Sequence, residues 1–278
     1  MTTKKEMTMN TVSLESLAAA LAYAMGIEPP IHAAPANPDL TAYIDTALAG
    51  KKADRIFIYN TDAIGQWLID KYPALYEEVT ESMDLKLPMQ TVNPPKTPIA
   101  FGTMYTGAAP QVHGIIQYEK KLITIDTLFD AMARAGKKVA LLSCHDYSMT
   151  IIFQERAIDY FIFDTWAEVN AKAAELIIRD EYDFILTYNA NYDDIHHLKG
   201  PESPEAFGEI RFNCRTFCMF DALIRTHWSK HNVLIGTGMD HGCHELANGL
   251  GDHSEDTPQD RNIIHHYKAY PAKPEICL

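Results

Sequence analysis

Asp193, Asp194, His196 and His197 fall within five positions of one another in "YNANYDDIHHLKGP", at the end of the apolar run "FILTY". A carboxylate and an imidazole four residues apart share one side of a helical turn, so Asp193 and His197 can converge on a single cation. The same segment also reads as a polar loop, its aspartates capping a helix and its histidines solvated. The same residue types recur after other apolar runs. Asp62 follows "RIFIYNT", Asp240 and His241 follow "NVLIGTGM", and His253 stands in "GDHSEDTP". Singly, each has a structural explanation, such as Asp62 capping the next helix. Repeated placement at strand ends points instead to a metal centre. Mixed Asp and His ligands suit zinc or manganese, whereas calcium or magnesium sites contain more oxygen and less imidazole.

The elements that must position these groups are short apolar strands alternating with amphipathic helices. Strand candidates are "RIFIYN", "KKVALLSC", "DFILTY" and "NVLIGTG"; helical segments include "TLFDAMARAG", "TWAEVNAKAAELIIRD" and "PEAFGEIRFNCRTFCMFDALIRTHW". That alternation reads as an α/β fold, a mostly parallel central sheet sandwiched between helices. In such sheets chemistry collects at the carboxyl ends of the strands. Before the first strand, "SLESLAAALAYAMG" and "PDLTAYIDTALAG" read as two amphipathic helices split by a Pro-rich stretch. They form a helical N-terminal extension over residues 1–50 of one domain spanning 1–278. A small inserted cap is expected, if anywhere, at 145–165.

Composition narrows the function. A net charge of -13 argues against wrapping a nucleic-acid polymer, which needs clustered Lys and Arg. A small anionic, phosphorylated substrate stays compatible if metal ions supply positive charge. Cys144, Cys214, Cys218, Cys243 and Cys277 are an odd set without a CxxC pair, so a disulfide framework is not expected. Cys214 and Cys218, four apart in a helical segment, read as buried side chains. The basic start "MTTKKEMTMN" is followed by an apolar patch with no convincing cleavage site, which gives a cytoplasmic expectation with no membrane span. The oligomeric state is not legible.

Four ordered blocks resemble the alkaline phosphatase superfamily, in particular its type I phosphodiesterase and nucleotide pyrophosphatase branch. "RIFIYNTDAIG" is similar to that branch's first strand with its metal aspartate, and "KTPIAFGTMYTGAAPQVHGI" resembles its nucleophile segment. "DDIHHLKGP" resembles the block in which an aspartate precedes GHxxGP, and "MDHG" with "GDHSEDTP" resembles the closing metal block. The blocks run from about residue 54 to 268. DHG alone is weak, but the ordered set is specific.

The resemblance implies two divalent ions, zinc in the first instance and manganese as the alternative. Asp193, His197 and His253 would hold one, and Asp62, Asp240 and His241 the other. It places the nucleophile at Thr97, with Lys96 as a substrate contact. Thr97 has a structural reading too, a turn or capping hydroxyl after "NPP". A threonine hydroxyl needs activation to attack phosphorus, and a pair of cations roughly 4 Å apart clamps both ends of an in-line displacement. One departure matters: Ala100 stands where the branch places an asparagine that donates to a phosphoryl oxygen, and Lys96 and Asn93 are the candidate substitutes. Asp194 and His196 read as neighbours of the ligands, and His113 as a packing residue. His145 has no assigned role, and His227, His231, His244, His265 and His266 read as surface or structural.

The function implied is metal-dependent hydrolysis of phosphate esters, phosphodiesters or pyrophosphate linkages. The alternatives are a cofactor-independent phosphomutase, a phosphonate hydrolase and a non-catalytic metal-binding relative. A mutase needs a second domain over the sugar, and the 95 residues between Thr97 and Asp193 leave little room for one beside the core elements they must also supply. Sulfatase activity lacks its CxPxR-like segment at Thr97.

Overall fold

The computed structural model describes residues 7–273; the opening MTTKKE and Cys277 lie outside the described residues. Nine strands occur among them: β1 (Arg55–Thr61), β2 (Leu85–Gln90), β3 (Val139–Cys144), β4 (Asp159–Phe163), β5 (Phe184–Asn189), β6 (Val233–Met239), β7 (His244–Glu245), β8 (Gly251–Asp252) and β9 (Asn262–Tyr270). Seven form one sheet in the order β2-β9-β6-β1-β5-β3-β4, and β7 and β8 make a separate two-stranded ribbon. Within the large sheet, β6, β1, β5, β3 and β4 run parallel, and β9 is antiparallel to both β6 and β2. This is the mostly parallel, helix-flanked α/β sheet expected from the alternation.

Both faces of the sheet are covered, which is why β1, β3, β5 and β6 are apolar runs without polar alternation. Side chains of β1 divide by parity. Phe57 and Tyr59 meet Phe220 and Phe217 of the helix Pro204–His227, while Asn60 donates to Tyr105 of the helix Thr97–Thr106 on the other side. Helix starts are fixed locally. Thr127 with Asp130 and Thr165 with Glu168 form capping boxes, and Ser203 caps a helix that opens on Pro204.

Three strands of the large sheet were not legible as such, nor were the two of the ribbon. In β2, Pro88 obscures a half-buried alternation of Leu85, Leu87 and Met89; the strand tolerates it as a sheet edge. In β9 the polar pair His265-His266 breaks the apolar run, yet both rings are buried, as is His244, so of the two readings, surface or structural, these three take the structural one. His265 donates from Nε2 to the Met239 carbonyl, which satisfies it inside the core. The region 145–165 is no cap: it forms a short helix, Ser148–Ile152, and the edge strand β4.

The first N-terminal helix also differs from its reading. Leu17–Met25 is buried almost all round rather than amphipathic, because its alanines carry no polar side and let the Thr97–Thr106 and Leu128–Arg134 helices approach. Cys214 is buried and Cys218 partly so, and their thiols face the Leu75 and Glu78 carbonyls.

Close backbone approach fixes the end of β6. A β-carbon at Gly242 would stand 2.1 Å from the Gln259 carbonyl oxygen and 2.9 Å from the Gly65 Cα. Gly242→Ala is therefore expected to destabilise the fold by about 1–3 kcal/mol through overpacking. A urea titration with an unchanged midpoint would show that the 258–261 turn yields freely.

Candidate metal centre

Register brings the site together. Thr61 of β1 pairs with Asn189 of β5 and Met239 of β6, so the next residues, Asp62 and Asp240, leave the sheet side by side. Asp62 does not cap the following helix, whose N-cap is Gly65. The backbone instead turns through Ala63, a non-glycine residue at φ 61°, whose N–H donates to Asp240 Oδ1 at 3.2 Å. Holding alanine in the left-handed region costs about 1–2 kcal/mol, and it turns a backbone donor onto the site. After β5 the chain enters the helix Asn191–Lys199, where Asp193 and His197 share a face as their spacing requires.

Two groups of ligand-type side chains result: Asp193, His196, His197 and His253, and Asp62, Asp240 and His241. All six residues implied as ligands fall into these groups in the expected threes, with His196 added. In the first group, Asp193 Oδ1 lies 3.4 Å from His197 Nε2 and 3.3 Å from His253 Nε2, and those two nitrogens are 3.1 Å apart. In the second, His241 Nε2 lies 3.4 Å from Asp62 Oδ1 and 3.3 Å from Asp240 Oδ2. A tetrahedron with zinc-like bonds of about 2.0–2.1 Å has edges of about 3.3 Å, so these spacings suit a first-row divalent ion.

Tautomers agree. His197 Nδ1 meets the Gly251 carbonyl at 2.9 Å, His253 Nδ1 the Pro95 carbonyl at 2.9 Å, and His241 Nδ1 the Gly242 carbonyl at 3.0 Å. A carbonyl can only accept, so each Nδ1 carries hydrogen and each neutral ring turns an Nε2 lone pair inward. Asp62 Oδ1 and Asp240 Oδ2 are buried without a hydrogen-bond partner among the described residues. Lone pairs facing one another and orphaned buried carboxylate oxygens are the donor set a divalent cation satisfies.

The electrostatics follow. Burial first, then the neighbouring carboxylates Asp240 and Asp193, drive the Asp62 carboxyl well above its ordinary range. Burial likewise pushes Asp240 up to about 7. Burial would raise Asp193 too, but the hydrogen bond from His196 and the close approach of the His197 and His253 imidazoles hold it well below the usual carboxylate range. Burial, with His253 adjacent, keeps His241 neutral. Cation binding must therefore displace protons around Asp62 and Asp240 below pH 7. Affinity is expected to fall by about tenfold or more per pH unit from pH 7 to 5. Calorimetry in buffers of different ionisation enthalpy measures the proton release, and pH-independent affinity would contradict it.

Thr97 is the first residue of the helix Thr97–Thr106, not its cap. Lys96 is the N-cap and makes no side-chain capping bond, so the capping reading of the Thr97 hydroxyl does not hold. Thr97 Oγ1 instead lies 3.2 Å from His241 Nε2. Lys96 is half-buried, its ammonium 3.9 Å from Asp252, beside His253. Ala100 is buried and offers no donor. His113 packs internally, Nε2 3.0 Å from Thr103 Oγ1, and His145 is exposed, 3.9 Å from Asp164.

Sequence reading missed Tyr188, whose hydroxyl donates to Asp62 Oδ2. It also missed Asp260, which takes the N–H groups of Ser254 and Glu255 and His244 Nδ1, and so fastens the loop carrying His253. An aromatic at the end of an apolar strand carries no signal of such a role. Asp194 accepts from Tyr147 at 2.6 Å, outside the ligand groups.

No protein-family model and no curated protein matches this chain. Solved structures do. Murine ectonucleotide pyrophosphatase/phosphodiesterase 5, an inactive threonine-to-alanine variant in complex with AMP, superposes with a TM-score of 0.57 at 15% identity, covering 70% of this chain and 58% of that one. Phosphonoacetate hydrolase from Sinorhizobium meliloti 1021, in complex with phosphonoformate, gives 0.54 at 17% identity over 74% of this chain and 62% of that one. The C-terminal periplasmic domain of Escherichia coli EptC, in complex with Zn, gives 0.56 at 12% over 80% and 74%. This chain thus spans less than two thirds of the first two. All three are alkaline phosphatase superfamily members, and this chain has their fold.

Proposed function

We propose that this chain is a metal-dependent hydrolase of small phosphoryl compounds, with Thr97 as nucleophile. The observation that carries the reading is the 3.2 Å approach of Thr97 Oγ1 to His241 Nε2, at the edge of two adjoining ligand groups. Two divalent cations, one held by Asp193, His197 and His253 and one by Asp62, Asp240 and His241, would supply charge that activates the hydroxyl and stabilises the leaving oxygen. Thr97 Oγ attacks phosphorus, the bond to the leaving group breaks, and water later releases the phosphoryl group from Thr97. The N-terminus of the ten-residue helix that Thr97 opens favours the anionic group, and Lys96 adds a positive charge where Ala100 offers none.

The neighbours support this reading. One is described with AMP as an inactive threonine-to-alanine variant, one is a phosphonate hydrolase, and one is in complex with Zn. Zinc is the cation we assign first, with manganese accepted by the same ligands. Among the described residues no helix is long and apolar enough to cross a membrane. A mutase would need a cover over the sugar, and residues 145–165 are taken up by a short helix and an edge strand.

The test is a panel of aryl phosphate, aryl phosphodiester, phosphonate and sugar phosphate substrates with the zinc- or manganese-loaded chain. Net hydrolysis, releasing inorganic phosphate or a phosphomonoester, is expected. Exclusive isomerisation of the sugar phosphate, or no turnover with both cations bound, would overturn the proposal.

A further inference from the structure

His196 sits where the GHxxGP pattern has glycine, and its ring is wholly buried beside Tyr192 and His197. We propose that His196 is a positioning residue of the first cation site, holding the Asp193 carboxylate through its Nε2–H, and that Gly251 is glycine to make room for this ring. The proposal deepens the two-cation reading and rests on it.

Direction separates His196 from its neighbours. Its Nε2 lies 3.0 Å from Asp193 Oδ1 in hydrogen-bonding geometry. His197 and His253 approach the same oxygen at 3.4 and 3.3 Å, but each aims its Nε2 at the other, across 3.1 Å. Their Nδ1 atoms are fixed by carbonyls, whereas His196 Nδ1 is buried with no partner among the described residues. An Nε2–H toward the carboxylate is therefore the tautomer that makes a bond. It leaves His197 and His253 as the imidazoles whose lone pairs face shared space.

The room for this ring comes from β8, which packs against the helix that carries it. A β-carbon on residue 251 would stand 2.0 Å from His196 Nδ1 and 2.9 Å from the His196 carbonyl oxygen. Gly251 is not among the glycines with positive φ, so the ring, and not the backbone angle, demands it. Its carbonyl also accepts from His197 Nδ1, so a shift of residue 251 would disturb both histidines.

The experiment compares His196→Ala, His196→Gln, Gly251→Ala and the double alanine variant in the full chain. It reads zinc affinity at each site by competition with a chromophoric chelator, and the absorption of the cobalt-substituted protein at saturation. His196→Ala should weaken one of the two sites by about 10–100-fold, leaving the other site and the cobalt bands unchanged. His196→Gln, which keeps an N–H donor, should recover part of the loss and covers the case in which the alanine variant does not fold. Gly251→Ala should weaken the same site, and the double variant should lose clearly less than the sum of the two single losses, the remaining clash being with the His196 carbonyl. Unchanged affinity in a folded His196→Ala or His196→Gln chain, additive losses in the double variant, or shifted cobalt bands that make His196 a ligand would each overturn the proposal. A wild-type chain that binds no cation overturns the two-cation reading itself, and this inference with it.

Discussion

Replacing Thr97 with alanine is expected to lower turnover by roughly 10³-fold or more while both proposed cation sites keep their affinity, because the change removes the oxygen proposed to attack and none of the proposed ligands. Thr97 Oγ1 lies 3.2 Å from His241 Nε2 but belongs to neither ligand group. The helix should start unchanged, since Lys96 caps it without a side-chain bond and Pro98 follows. Thr97→Ser keeps an oxygen and should retain measurable turnover. Mass spectrometry of acid-quenched enzyme should find a phosphoryl adduct on the wild-type peptide containing residue 97 and none on the alanine variant. Undiminished turnover in Thr97→Ala would assign the attack to water.

Chelation is expected to have the second large effect, abolishing turnover and lowering Tm together. Asp62, Asp193 and Asp240 bring three carboxyl groups into a buried site with His241 and His253. A cation present at a thousand times its Kd adds about 4 kcal/mol of stability per site, which for a chain of this size is a shift of about 10 °C. The sign with pH can be worked out. Asp240 is raised from 3.8 to about 7 in the folded chain, so folding takes up a proton, and the cation-free chain loses stability as pH rises from about 4 to about 7. Binding replaces that proton, so the gap between loaded and stripped Tm should widen from pH 5 to pH 8. Calorimetry over that range, with and without chelator, is the measurement. Equal Tm values at pH 8 would remove the cations from the structure's energetics.

What the sequence disclosed depended on how local the information was. Strands β1, β3, β5 and β6 are buried on both faces and announce themselves as apolar runs, and with them came the strand-end positions of Asp62 and Asp240. Asp193 and His197 were legible because their four-residue spacing is itself the geometry. Hidden were the strands whose chemistry is mixed: Pro88 in β2, and the buried pair His265-His266 in β9, of which His265 is satisfied by the carbonyl of Met239 on another strand. Tyr188 against Asp62 and His196 against Gly251 were hidden for the same reason. Each is a contact between segments far apart in the chain, and neither partner has a local pattern that names the other.

The place of β9 bears on how the molecule is made. It is the last strand among the described residues, yet it lies inside the sheet, paired with β6 on one side and β2 on the other. A chain emerging from the ribosome can assemble the β6, β1, β5, β3 and β4 half early, but until residue 270 is available β6 keeps an open edge and β2 has no sheet to join. Asn10 is tied to Asn262 as well, so the first described segment waits for the last strand. Insertion between two waiting edges is a long-range closure, slow relative to local helix formation and exposed to wrong pairings while it waits. His241 and His253 lie on the excursion between β6 and β9, so each proposed cation site receives one imidazole from a segment whose two ends are held by that closure. On the two-cation proposal, both ligand groups are complete only once this segment is in place, so cation binding would report a chain whose sheet is closed.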